Sequence, residues 1–235
     1  MDHPEPLKPA LGSRDGLSYA LFLPDEPPSV GIVVLHGAGS AKESHFDFGR
    51  AAQALGMAAV CFDMRGHGRS EGRFGPTAFA DVLTMCALVR EHAPLVALRG
   101  SSMGGFCALH TAAIEPEVTA VVAISPAPED FLLRGLRERR FEFEVDEEPA
   151  ELWLESLSTR RAVAALAGRT ALLLLHAKGD EQVPYAISEE LYARAGEPKQ
   201  LLLVPGGHHR SVQHDGELQA ETLRFIARAT AASRR

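Results

Sequence analysis

The chain is 235 residues long, 46% hydrophobic and 23% charged, with a formal net charge of −7. That length suits one α/β domain or two small ones with a sizeable buried core, and an acidic balance without a basic patch argues against a nucleic-acid surface. Cys61, Cys86 and Cys107 each lie in an apolar stretch and form no CxxC pair, so they read as buried thiols and not as a disulfide framework.

Residues 1–6 carry neither a basic nor an apolar leader pattern. No apolar run approaches membrane-spanning length. The expectation is a soluble cytoplasmic protein.

Residues 17–23 read as a strand, ended by a Pro-rich turn. Residues 30–35 are a continuous apolar run, as in a strand covered on both faces. A helix over 46–55 is stopped by Gly56, and a second buried strand spans 57–62. A helix over 77–92 has Pro76 at its start and Pro94 beyond its end. A strand at 95–98 runs into Gly100-Ser101-Ser102-Met103-Gly104, and a helix over 103–113 runs out of it. Strands come next at 118–124, 170–175 and 200–204, with helices over 187–195 and 217–228. Strands alternate with helices, and the strands do not alternate in polarity. This predicts a mostly parallel sheet with helices on both faces. Residues 126–168 break the rhythm. They mix Phe131, Leu132 and Trp153 with many charges, and read as an insertion of short helices within a single domain.

Gly100-x-Ser102-x-Gly104 fits the nucleophile elbow, in which a strand turns sharply into a helix and lifts a serine above the sheet edge. Residues two before and two after that serine must be very small. Ser101 is the poorer candidate because Arg99 stands two residues before it. With 21 glycines in the chain, one such match arises readily by chance, so the weight rests on whether partner residues come later in the chain in the right order. A serine hydroxyl needs a base, the base an orienting carboxylate, and the developing oxyanion needs donors. The loop after strand 170–175 offers Asp180, with Glu181 as its neighbour and rival. The loop after strand 200–204 offers His208 and His209. His209 is favoured as the third residue after Gly206, and His214 reads as structural or exposed. The backbone N–H groups of Met103 and of Ala38, with Gly39 second, are the candidate oxyanion donors. His36 reads as a brace of its loop.

His36-Gly37, Asp63-x-Arg65-Gly66-x-Gly68-x-Ser70, the Ser102 elbow, Gly179-Asp180 with Val183-Pro184, and Gly206 to His209 stand in order and in register. On these motifs the chain resembles the α/β-hydrolase superfamily from Leu17 to Arg228. It looks most like the compact serine esterase, serine-peptidase-like and lysophospholipase-like branches. The resemblance implies a parallel-dominated sheet of about eight strands, a Ser102–Asp180–His209 triad and a mostly structural turn at Arg65 to Ser70. It also implies a short lid at 126–168 and no metal or cofactor. The expected partner is a small-molecule acyl substrate, lined by Phe131, Leu132 and Trp153 unless these only pack the insertion. The oligomeric state, a homodimer included, is left open. Rival readings are weaker. Gly37-x-Gly39 begins a dinucleotide fingerprint, but Lys42 stands where its third glycine belongs. His208, His209, His214 and Asp215 could form a metal site. A non-catalytic member of the fold is the remaining alternative.

Overall fold

The computed structural model describes residues 8–232; residues 1–6, on which the leader expectation rests, lie outside the described residues. Eight strands form one sheet: β1 (Ala10–Arg14), β2 (Leu17–Phe22), β3 (Val30–Leu35), β4 (Ala58–Phe62), β5 (Leu95–Ser101), β6 (Val118–Ile124), β7 (Ala171–Ala177) and β8 (Lys199–Val204). Their order is β1-β2-β4-β3-β5-β6-β7-β8. β2 runs antiparallel to both β1 and β4, and every other pairing is parallel.

The apolar strands serve two cores at once, because successive side chains point to opposite faces. Val33 and Leu35 of β3 enter one core, and Ile32 and Val34 the other. Helices α1 (Phe46–Ala54), α2 (Ala78–Arg90) and α3 (Met103–Ile114) follow β3, the β4 loop and β5 respectively. Between β6 and β7 come α4 (Glu129–Arg137), α5 (Glu147–Ser156) and α6 (Thr159–Ala164), and no strand of the sheet. The chain closes with α7 (Ala186–Arg194), the short α8 (Ser211–His214) and α9 (Gly216–Ala232). Val82 and Met85 of α2, Phe106 of α3 and Leu191 of α7 fill one core; Phe48 of α1 and Ile226 of α9 fill the other. Helices thus cover both faces of the sheet.

β1 is an element the sequence pattern did not announce. It forms a hairpin with β2 through Asp15-Gly16, whose φ angles of 52° and 78° are those of a tight two-residue turn. His214 ends the short α8.

Residues between α4 and α5 are sewn to the body of the molecule. The Phe74 N–H donates to the Glu144 carbonyl (3.0 Å), the Glu144 N–H to Gly66 (3.2 Å) and the Asp146 N–H to Phe74 (3.0 Å). Arg137 of α4 bonds Glu151 of α5 at 2.7 Å and also pairs with Glu155. All three cysteines are buried and free. Among the described residues, no helix is long and apolar enough to cross a membrane.

Candidate active site

The turn at the end of β5 is set by its glycines. A Cβ added to Gly100 would sit 2.1 Å from the Gly104 carbonyl oxygen, and one added to Gly104 would sit 2.5 Å from that of Leu35. Only glycine lets these backbones approach so closely. Ser102 between them has φ 52° and ψ −116°, a conformation L residues rarely adopt. It is clamped there: its N–H donates to the Ile124 carbonyl (2.8 Å), and its own carbonyl accepts from Phe106 (3.0 Å) and Ala127 (3.2 Å). α3 starts at the next residue, so the Met103 N–H is among the first donors of a helix, which have no carbonyl one turn back.

The loop after β3 lies beside this turn, where an added Cβ on Gly37 would be 3.5 Å from the Ser102 Cβ. His36 is fully buried, donates from Nδ1 to the Gly37 carbonyl (2.8 Å) and accepts the Met64 N–H at Nε2 (3.0 Å). Burial, reinforced by His67, lowers its pKa to about 4, so it braces the loop as a neutral ring. His67 accepts the Gly39 N–H (3.2 Å) and stacks on Phe143 at a centroid distance of 3.9 Å. Of the two candidate donors on this loop, the N–H of Gly39 is therefore engaged, whereas Ala38 lines the cavities around Ser102.

The loops after β7 and β8 are stitched together by the Lys178 N–H to Val204 carbonyl bond (2.8 Å) and the Gly179 N–H to Gly206 carbonyl bond (3.0 Å). This brings His209 Nδ1 within 2.8 Å of Asp180 Oδ2, with the Asp180 side chain fully buried. Asp180 Oδ1 accepts the N–H groups of Gln182 and Val183, each at 2.9 Å. Burial opposes ionisation of Asp180, but bonds from His176, His209 and the Val183 N–H outweigh it and hold the carboxyl far below the usual range. The rivals stand apart from this pairing. Glu181 accepts the backbone N–H of His209 (3.2 Å), and His208 is exposed.

Two recesses meet at Ser102. The larger, about 480 Å³, has Phe131, Leu132, Phe141 and Phe143 on its apolar side and Arg134, Arg140 and Arg210 among its charged lining. The smaller, about 110 Å³, is lined by Gly37, Ser40, Ser101, His209 and Gln213. Phe131 and Leu132 thus line the larger recess. Trp153 does not line either recess: it packs against Phe74, Phe79 and Phe106, with centroids 5.8, 5.0 and 5.9 Å away, because α5 turns it toward α2 and α3. Among the described residues, no group of three or more His, Cys, Asp or Glu side chains is placed to hold a metal ion, so His208, His209, His214 and Asp215 do not gather.

Sequence reasoning missed His176. It is the penultimate residue of β7 and fully buried, with Nε2 3.2 Å from Asp180 Oδ2. A histidine four residues before the candidate acid was the available signal.

Residues 26–132 match the model of the family described as serine aminopeptidase, S33. The uncharacterized protein YfhR of Escherichia coli O157:H7 is 37% identical over 78 residues, 32% of this chain and 27% of that one. The 2,6-dihydropseudooxynicotine hydrolase of Paenarthrobacter nicotinovorans is 31% identical over 120 residues, 46% of this chain and 32% of that one. The chain therefore aligns with about a third or less of these curated relatives' length. Est1E from Butyrivibrio proteoclasticus, solved with ferulic acid, superposes with a TM-score of 0.74 at 19% identity, covering 94% of this chain and 99% of that one. The chain has the α/β-hydrolase fold.

Proposed function

We propose that this protein is a serine hydrolase that cleaves carboxylic esters or thioesters of small to medium acyl groups. The observation that carries the reading is the buried Asp180–His209 pair at 2.8 Å facing a recess it shares with Ser102, itself held at a positive φ. In this reading His209 takes the proton of Ser102 as Oγ attacks the acyl carbonyl, and Asp180 fixes the imidazole tautomer and steadies its charge. The Ala38 and Met103 N–H groups receive the oxyanion, each worth about 3 kcal/mol. His209 then gives the proton to the leaving group, and water, activated the same way, hydrolyses the acyl-enzyme.

The two recesses suggest how a substrate divides. The leaving group must reach His209, which lines only the smaller recess, so the acyl part takes the larger one against Phe131 and Leu132. We assign residues 126–168 as a short cap of a single domain, since they supply that apolar wall.

The test is turnover of p-nitrophenyl esters from C2 to C12 by wild type and Ser102→Ala. Loss of turnover in the variant, with an acyl-length optimum in the wild type, is the expected result; equal turnover in both would overturn the assignment. The serine aminopeptidase family match favours a second reading, cleavage of an amide. Aminoacyl p-nitroanilides turned over faster than the esters would select it. Failure of a fluorophosphonate probe to label Ser102 would instead indicate a non-catalytic member of the fold.

A further inference from the structure

Asp180 Oδ2 has two imidazole neighbours, not one. His209 Nδ1 approaches it at 2.8 Å and His176 Nε2 at 3.2 Å. His176 Nε2 also lies 2.8 Å from the Val183 carbonyl oxygen. Both neighbours of that nitrogen are acceptors, so Nε2 carries the hydrogen and shares it between them. At the other side of the ring, His176 Nδ1 is 2.7 Å from the hydroxyl of Ser188, a buried residue of α7. A hydroxyl can donate, so this geometry is satisfied by a neutral ring that accepts from Ser188 and donates toward Asp180.

Resting on the assignment of Ser102, Asp180 and His209 as a triad, we propose that His176 is a positioning residue: by donating to Asp180 Oδ2 it divides that oxygen between two histidines and so sets how strongly the carboxylate pulls on His209. A donor on a carboxylate oxygen disperses its charge. Removing it leaves the full charge to His209, which then holds its proton to higher pH. The other charged and titratable groups facing His209 stay constant in the comparison. They are Glu181 from the β7–α7 loop, Arg210 from its own loop, and His214 of α8, the last two lining the smaller recess with it.

The experiment is an NMR titration of the His209 imidazole in the intact chain, in wild type, His176→Leu and His176→Gln. It needs no turnover, so it reads this proposal separately from the hydrolase reading, which Ser102→Ala tests. The expected result is a midpoint about 0.5 to 1 unit higher in His176→Leu, with recovery toward wild type in His176→Gln, whose amide N–H can replace the Nε2 donor. The acid limb of the pH–rate profile should move the same way. A folded His176→Leu with an unshifted midpoint would overturn the proposal, as would a glutamine variant displaced as far as the leucine one. Should His176→Leu fail to fold, Ser188→Ala decides: it weakens the same chain from its far end and must raise the midpoint, and no shift refutes the proposal.

Discussion

Arg99 sits three residues before Ser102, 1% exposed, with its guanidinium 4.1 Å from the centre of the Phe48 ring. One of its nitrogens donates to the Gln213 carbonyl at 2.9 Å, while Nε and Nη1 have no protein partner among the described residues. Burial pulls its pKa down to about 10. A charge so placed is expensive to desolvate, and its main acceptor would not be orphaned by its removal, since the Gln219 amide also reaches the Gln213 carbonyl. Arg99→Met is expected to raise unfolding free energy by about 1 to 2 kcal/mol in urea melts. Asp180→Asn, by contrast, should lower stability at neutral pH, where the depressed carboxylate contributes in full, and, in the triad reading, lower kcat by roughly 10⁴, because an amide cannot hold the His209 tautomer; single-turnover kinetics would read the second effect. Residue by residue, the candidate site was legible where spacing from a glycine fixes a position, as with His209 after Gly206. His176 and His67 escaped because their roles are set by neighbours distant in sequence, Ser188 and Phe143.

At the level of elements, the elbow is the least forgiving join in the chain. Gly100 and Gly104 are hemmed in by backbone carbonyls, which cannot rotate away as a side chain would. Gly104→Ala should therefore cost on the order of 3 kcal/mol or more, visible as a lowered thermal midpoint, whereas Gly39→Ala meets no atom within 4 Å and is limited to the strain of its φ of 66°. The parallel core strands were readable because each carries an unbroken apolar run demanded by two covered faces. β1 was not, since its exposed residues show no such run and the sheet edge needs none; the Asp15-Gly16 turn was the only local mark. The three helices between β6 and β7 were foreseen only as short helices, since their positions depend on ion pairs such as Arg137–Glu151 and Arg160–Glu190.

For the whole molecule, buried neutral histidines shape the response to acid. His36 and His110 are both brought from 6.5 to about 4, chiefly by burial. The unfolded chain binds these protons first, so the stability each ring contributes is full above pH 6.5, falls between 6.5 and about 4, and is lost below. Each contributes up to about 3 kcal/mol over that window. Asp180, also depressed, adds a loss that sets in only below the ordinary carboxylate range. Urea melts from pH 8 to 3 should show a decline that begins near 6.5, and His110→Leu should flatten part of it.

The backbone bonds from Glu144 and Asp146 to Gly66 and Phe74 fix the middle of the 126–168 segment, not just its ends. A flap pinned in this way cannot peel back onto an oil surface as one unit. In the proposed ester-hydrolase reading, turnover should accordingly track dissolved substrate and level off when a long-chain ester reaches its critical micelle concentration. A rate that instead jumps at that concentration would show that the seam opens.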